Sequence, residues 1–190
     1  MKKTALALLF VILSVSAFSQ RGNLSVGAKG GYVLSSSDLK YEGILYGFDV
    51  AYHLSDPLEI AFTGLLNPNI SRNDENGAKD NLAAYSANLD FRLYLIHQQV
   101  WATGPALGGQ YYIVNSITSG AGKYDYSALG FNIGWHIRFN LTDNLKLNGG
   151  WRYTNVKAQN KKYWWDSSYP FNMSHQIFYV GLAYTFELKK

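Results

Sequence analysis

From residue 24 onward, apolar and polar side chains alternate with a period of two, the pattern of strands whose two faces meet different surroundings. The clearest stretch runs over 129–141. Leu129, Phe131, Ile133, Trp135, Ile137, Phe139 and Leu141 share one face, and Gly130, Asn132, Gly134, His136, Arg138 and Asn140 the other. The same two-faced writing recurs at 24–34, 44–54, 58–67, 83–95, 145–154 and 178–186, and less cleanly at 100–114. These stretches predict eight strands. Pro105 and the pair Gly108-Gly109 fall within 100–114, which predicts a bulge or bend there and leaves its two faces unassigned.

The links alternate in length. Those at 55–57, 97–99 and 142–144 are short, whereas those near 35–42, 68–81, 115–125 and 157–173 are long and polar. Eight strands joined by alternating short turns and long loops fit an up-and-down antiparallel barrel, closed because an open edge leaves backbone groups unpaired. The predicted fold is therefore all-β, an eight-stranded barrel.

Two solvents suit such a barrel. A soluble barrel turns its apolar face inward around a ligand and covers the other face with charge. Here the second face is mostly Gly, Ala, Ser, Asn and Thr, with one or two charges per strand, while the bulky face carries no charge in the stretches above. Small residues suit the crowded interior of an eight-stranded barrel. The bulky face is therefore expected to meet lipid, where a charge at mid-bilayer costs roughly 2–4 kcal/mol. Composition agrees: charged residues are 16% of the chain and aromatics also 16%, against about 25% charged in typical soluble domains. Tyr52, Tyr94, Trp101, Tyr111, Tyr112, Tyr126 and Phe139 lie near strand ends and are candidates for interfacial girdles.

The first residues read differently. Lys2 and Lys3 precede an apolar run over 5–15, and Ala17-Phe18-Ser19 supplies small residues at −3 and −1 of a cleavage site before Gln20. The run falls short of the roughly 20 apolar residues a spanning helix needs. Residues 1–19 are expected to be a signal peptide and residues 20–190 the barrel domain. The net charge of +4 falls to +2 without Lys2 and Lys3, too little and too dispersed to suggest a nucleic-acid partner.

The last stretch reads Gly181-Leu182-Ala183-Tyr184-Thr185-Phe186, a Gly-x-x-aromatic-x-aromatic pattern. Gly181, Tyr184 and Phe186 resemble the C-terminal signal by which barrel-assembly machinery recognises its clients, although this chain continues through Glu187-Leu188-Lys189-Lys190. From Gln20 to Phe186 the chain resembles the small outer-membrane β-barrels of the OmpX and OmpA transmembrane-domain type, and its leader resembles those of Bacteroidetes secreted proteins. The resemblance implies a bacterial outer-membrane address, termini and short turns periplasmic, long loops extracellular, and contact with lipid, lipopolysaccharide and the assembly machinery. That family is functionally mixed: surface-interaction proteins, structural anchors, small porins and a few lipid-modifying enzymes.

Candidate chemistry is sparse. Lys29, Asp49, Glu59, Asp90, Arg92, His136, Arg138, Lys146 and Arg152 fall on the inward face, as do His53, Asn88 and Asn132. They fit an internal ion-paired and hydrogen-bonded plug; alternatively the surplus of cations lines a narrow anion-favouring path. His53-Leu54-Ser55 with Glu59 has the elements of a nucleophilic triad, and Ser174-His175 with Asp166 lies on the other side of the barrel without triad spacing. Cysteine is absent and the four histidines are scattered, so no metal site or other cofactor is expected. Lys161, Lys162, Tyr163, Trp164 and Trp165 fall in the fourth long loop and are candidates for a surface-binding patch, or for an extension of the outer girdle. The expected role is non-enzymatic, envelope-structural or surface-interacting through the long loops, with a small porin and a lipid-modifying enzyme as alternatives.

Overall fold

The computed structural model describes residues 22–35, 41–73, 79–116, 125–160, 171–172 and 174–188. Eight long strands make the wall: β1 (Asn23–Ser35), β2 (Tyr41–Ser55), β3 (Leu58–Asn73), β4 (Lys79–Leu93), β5 (Trp101–Ser116), β6 (Asp125–Asn140), β7 (Leu145–Asn160) and β8 (His175–Glu187). Each pairs antiparallel with the next, and β8 returns to β1 with Asn23 opposite Glu187 and Ser35 opposite His175. The sheet closes on itself, so the strand edges that would be unpaired in hydrocarbon are paired. Two short pieces flank the wall: Ile96–His97 beside Thr103 and Ala102, and Phe171–Asn172 beside Ala158 and Lys157.

The pleat sorts side chains as the alternation predicts. On β6, Leu129, Phe131, Ile133 and Trp135 face outward while Asn132, His136 and Arg138 are buried. Outward apolar residues recur on every strand, from Val26, Ile44, Phe62 and Leu89 to Leu107, Trp151 and Val180, with Leu129 as much as 79% exposed. An apolar surface on all sides is far beyond the patches a soluble monomer carries, and it matches hydrocarbon instead. The inward row is tightly spaced. A Cβ on Gly150 would stand 2.4 Å from the Trp135 carbonyl oxygen and 2.7 Å from the Tyr179 hydroxyl, so glycine there makes room for the Tyr179 ring.

Three expectations change. The bulge expected in the stretch with Pro105 and Gly108-Gly109 is absent: the registers of β5 with β4 and with β6 run without a shift. Pairing with β4 ends at Ala106, and Thr103 then pairs with Ile96, so Pro105, which has no N–H to give, sits between the two pairings. Even-numbered β5 residues (Ala102, Ala106, Gln110, Tyr112, Val114) point inward. The register shifts fall elsewhere: between Asn67 and Ile70, around Pro68, and on β2 at Glu42/Tyr46 and His53/Ser55. Second, β3, β4, β5 and β7 run to Asn73, from Lys79, and to Ser116 and Asn160, well into stretches expected as loops. At about 3.3 Å per residue such strands outreach the 9–11 residues that cross a bilayer, and beyond the bilayer both faces can be polar, which erases the alternation. Third, Tyr94 and Tyr112 are buried inside the barrel instead of joining a girdle. The expected leader over 1–19 lies outside the described residues.

Candidate functional site

Inside the wall, three layers follow one another. At the end carrying the long connections, Val33, Leu45, Leu65, Ala84, Tyr112, Val114, Val156, Ile177 and Tyr179 pack into one buried apolar cluster. These residues come from seven of the eight strands, so the cluster fills the lumen from nearly all sides. A void of only about 20 Å³ lies beside it, lined by Val33, Leu45, Tyr112 and Ile177 among others.

The middle layer is ionic. Asp49 on β2 accepts from Lys29 Nζ (2.8 Å), from Arg92 Nη2 and Nη1 (2.8 and 3.0 Å) and from Thr63 Oγ1 (2.5 Å). Arg92 spans to Glu59 at 2.6 Å, and Glu59 accepts the Tyr94 hydroxyl at 3.2 Å. Arg152 pairs with Asp90 across the barrel. Tyr179 joins the two groups: Lys29 Nζ lies 4.8 Å and Arg152 Cζ 5.9 Å from its ring centre, and its hydroxyl stands 3.0 Å from His136 Nδ1. Bidentate and short pairs of this kind offset the desolvation of buried charge, which isolated ions do not.

At the end carrying the short turns the lumen opens into a polar vestibule of about 870 Å³. Arg138 and Lys146 line it with His53 and His97. Arg138 stacks over Tyr94, its Cζ 4.4 Å from the ring centre. Its polar contacts are longer than those of Arg92 to carboxylates: Glu59 Oε2 and His53 Nδ1 at 3.4 Å, and His97 Nε2 at 3.3 Å. Burial, and after it the Arg138 guanidinium, hold His97 below the ordinary imidazole range, which suits a neutral ring accepting from Arg138.

Lys29, Asp49, Glu59, Asp90, Arg92, His136, Arg138, Lys146 and Arg152 are all buried and face the interior, as are His53, Asn88 and Asn132. The structure brings Lys29, Asp49, Arg92, Glu59 and Arg138 into one chain of contacts and keeps Asp90 with Arg152 as a separate pair. Gly181 lies beside Lys29, whose Cβ would be 2.8 Å from a Cβ added there. Tyr184 and Phe186 face outward with their rings edge to face, 4.9 Å apart. Lys161, Lys162, Tyr163, Trp164 and Trp165 lie outside the described residues.

The serine facing His53 is Ser25, at 2.9 Å from Nε2, and not Ser55. Ser25 Oγ in turn stands 2.8 Å from Thr185 Oγ1. His53 Nδ1 stands 3.4 Å from both Arg138 Nη1, a donor, and Glu59 Oε2, an acceptor, so its contacts fit either ring tautomer. Ser174 and His175 are fully buried where β8 begins, and His175 lines the small void beside the apolar cluster. The apolar cluster itself went unread in the sequence. Its signal was there, because Val33, Leu45, Leu65, Val156 and Ile177 fall on inward positions where the opposite halves of the same strands carry polar residues.

Comparison with known proteins places the chain. A family profile described as "Outer membrane protein beta-barrel domain" matches residues 5–186. No curated protein sequence matches the chain. Among solved structures, Neisserial surface protein A superposes with a TM-score of 0.67 at 14% identity, covering 86% of this chain and 97% of that one. The outer membrane protein OprG from Pseudomonas aeruginosa gives 0.65 at 12% identity, covering 90% and 98%. Ail, the attachment invasion locus protein of Yersinia pestis, solved with the heparin analogue sucrose octasulfate, gives 0.53 at 15% identity, covering 88% and 100%. At these identities the likeness is one of fold.

Proposed function

Because the chain belongs to the outer membrane protein β-barrel domain family, we propose that it is a closed, non-enzymatic barrel of the bacterial outer membrane that acts in envelope structure or surface contact through its long connections. The observation that carries this reading is the filled lumen: an apolar cluster stacked on an ion-paired layer. A charged or polar solute would have to displace both, so the porin reading loses support.

With the middle of the lumen filled among the described residues, the ends and the outer wall are what remain to interact. The long connections belong outside, with termini and short turns in the periplasm, and the outer wall meets lipid and lipopolysaccharide. Gly181, Tyr184 and Phe186 serve the assembly machinery, two of them as outward rings on the closing strand. Lys161, Lys162, Tyr163, Trp164 and Trp165 are the proposed contact patch, since aromatic and cationic groups together suit a partner with flat apolar and anionic parts. Ail, a fold relative named for attachment and captured with a heparin analogue, is a precedent for a binding role on this fold.

The test compares cells displaying the full chain with cells displaying a variant in which those five loop residues are alanine. Adhesion to sulfated-glycan and host-matrix surfaces is scored, and the purified protein is tested in planar bilayers. Loss of adhesion with retained heat-dependent gel mobility, and no conductance, is expected. Stable conductance steps, or release of fatty acid from lipopolysaccharide, would overturn the reading.

A further inference from the structure

The barrel interior is not neutral. Among the described residues, Lys29, Arg92, Arg138, Lys146 and Arg152 are buried cations, against Asp49, Glu59 and Asp90 as buried carboxylates. The imbalance is local. Asp49 is shared by Lys29 and Arg92, Asp90 is taken by Arg152, and Glu59 is held by Arg92 at 2.6 Å. That leaves Arg138, 5% exposed, and Lys146, 9% exposed, with one longer contact to Glu59 between them. Both line the turn-end vestibule.

Arg138 also has hydrogen-bonding capacity to spare. Its Nε is buried without a partner, and Nη2 has His97 at 3.3 Å. Nε and Nη2 form the side-on edge of a guanidinium, the edge that takes a carboxylate or phosphate through two parallel bonds. Arg92 Nε is also unpartnered, but Arg92 is 1% exposed, does not line the vestibule, and its other nitrogens are saturated by carboxylates. Two buried cations sharing one long ion pair leave positive charge unbalanced, and the vestibule is where a counter-ion can enter.

We propose that the turn-end vestibule is a binding site for a small oxyanion, a carboxylate or phosphate group seated on Arg138 and Lys146. His97 yields its contact with Nη2 when the anion arrives. Asp56, Asp143 and Glu187 also line the vestibule, but all three are exposed, where water and salt screen them. They select against bulky polyanions and favour a ligand whose anionic group is compact, or one that carries an ammonium beside it.

The experiment uses the full chain in maltoside micelles, which contain no phosphate. Arginine Nε–Hε signals are followed by NMR during titration with acetate, inorganic phosphate and glutamate, at constant ionic strength set by chloride. A saturable shift of the Arg138 signal is expected. It should weaken at least tenfold in Lys146→Gln, whose side chain sits at the open end and leaves the ion-paired layer intact. Arg138→Gln should abolish it, with heat-dependent gel mobility reporting whether that variant folds. Repeating the titration in nanodiscs with and without phosphatidylglycerol separates sources: occupancy before any anion is added assigns the site to a lipid headgroup, and occupancy only on titration assigns it to a free solute. No saturable shift in the parent chain and none with the lipid, or equal affinity in Lys146→Gln, would overturn the proposal.

Discussion

Replacing Asp49 by Asn tests whether the ionic layer holds the barrel together. The substitution keeps the volume and removes the charge. Asp49 accepts from Lys29, from both terminal nitrogens of Arg92 and from Thr63. Arg92 keeps Glu59 at 2.6 Å, so the cation left stranded is Lys29, whose other polar contact is Thr63 at 3.4 Å. Breaking one buried pair and leaving its partner charged costs about 3–5 kcal/mol. Lys29→Met added to Asp49→Asn removes the stranded charge and should recover about 2 kcal/mol or more. Lys29→Met alone should cost less than Asp49→Asn, because Arg92 and Thr63 still satisfy the carboxylate. The four proteins form a double-mutant cycle, read by urea unfolding in lipid vesicles with tryptophan fluorescence and gel mobility as independent probes. A loss under about 1 kcal/mol for Asp49→Asn, or strict additivity of the two changes, would refute the idea that these charges are coupled.

Three further outcomes follow from geometry. Gly150→Val drives its side chain into the Trp135 carbonyl and the Tyr179 hydroxyl and should destabilise by about 1–3 kcal/mol; an unchanged urea midpoint would mean the inner wall is looser than described. Ile133→Arg puts a charge on the outward face of β6 and should cost about 2–4 kcal/mol in a bilayer if that position is near the midplane, measured by refolding into vesicles; no cost would show that this face does not meet hydrocarbon. Phe186→Ala should leave the stability of the refolded barrel within about 1 kcal/mol while lowering the amount of folded protein in the membrane fraction of cells, and equal losses in both would assign the ring to packing alone.

The wall was legible because lipid and lumen impose opposite demands on neighbouring residues, and the thirteen-residue alternation from Leu129 to Leu141 records both. Closure was legible for a related reason, since an open edge would leave backbone groups unpaired in hydrocarbon. The interior was harder. Inward charges could be read one by one, but their partners lie far apart in sequence: Arg92 meets Asp49 and Glu59 only because the register of β2, β3 and β4 sets them level. Ser25 was invisible as the neighbour of His53 because the two are joined by the β1–β2 pairing and not by sequence spacing. Proline misled. Pro105 marked a break that belongs to the adjacent strand, whereas Pro68, read as loop, sits at a register shift within β3. Tyr94 and Tyr112 were placed by chemistry at the interface and are placed by parity inside.

The stacking order of the lumen makes the barrel a cup, not a tube. Its mouth lies at the short turns and its floor is the apolar cluster packed from Val33 to Tyr179. Arg138 and Lys146 therefore stand open to solution at the short turns, and among the described residues the ion-paired layer and the apolar cluster lie between them and the side of the long connections.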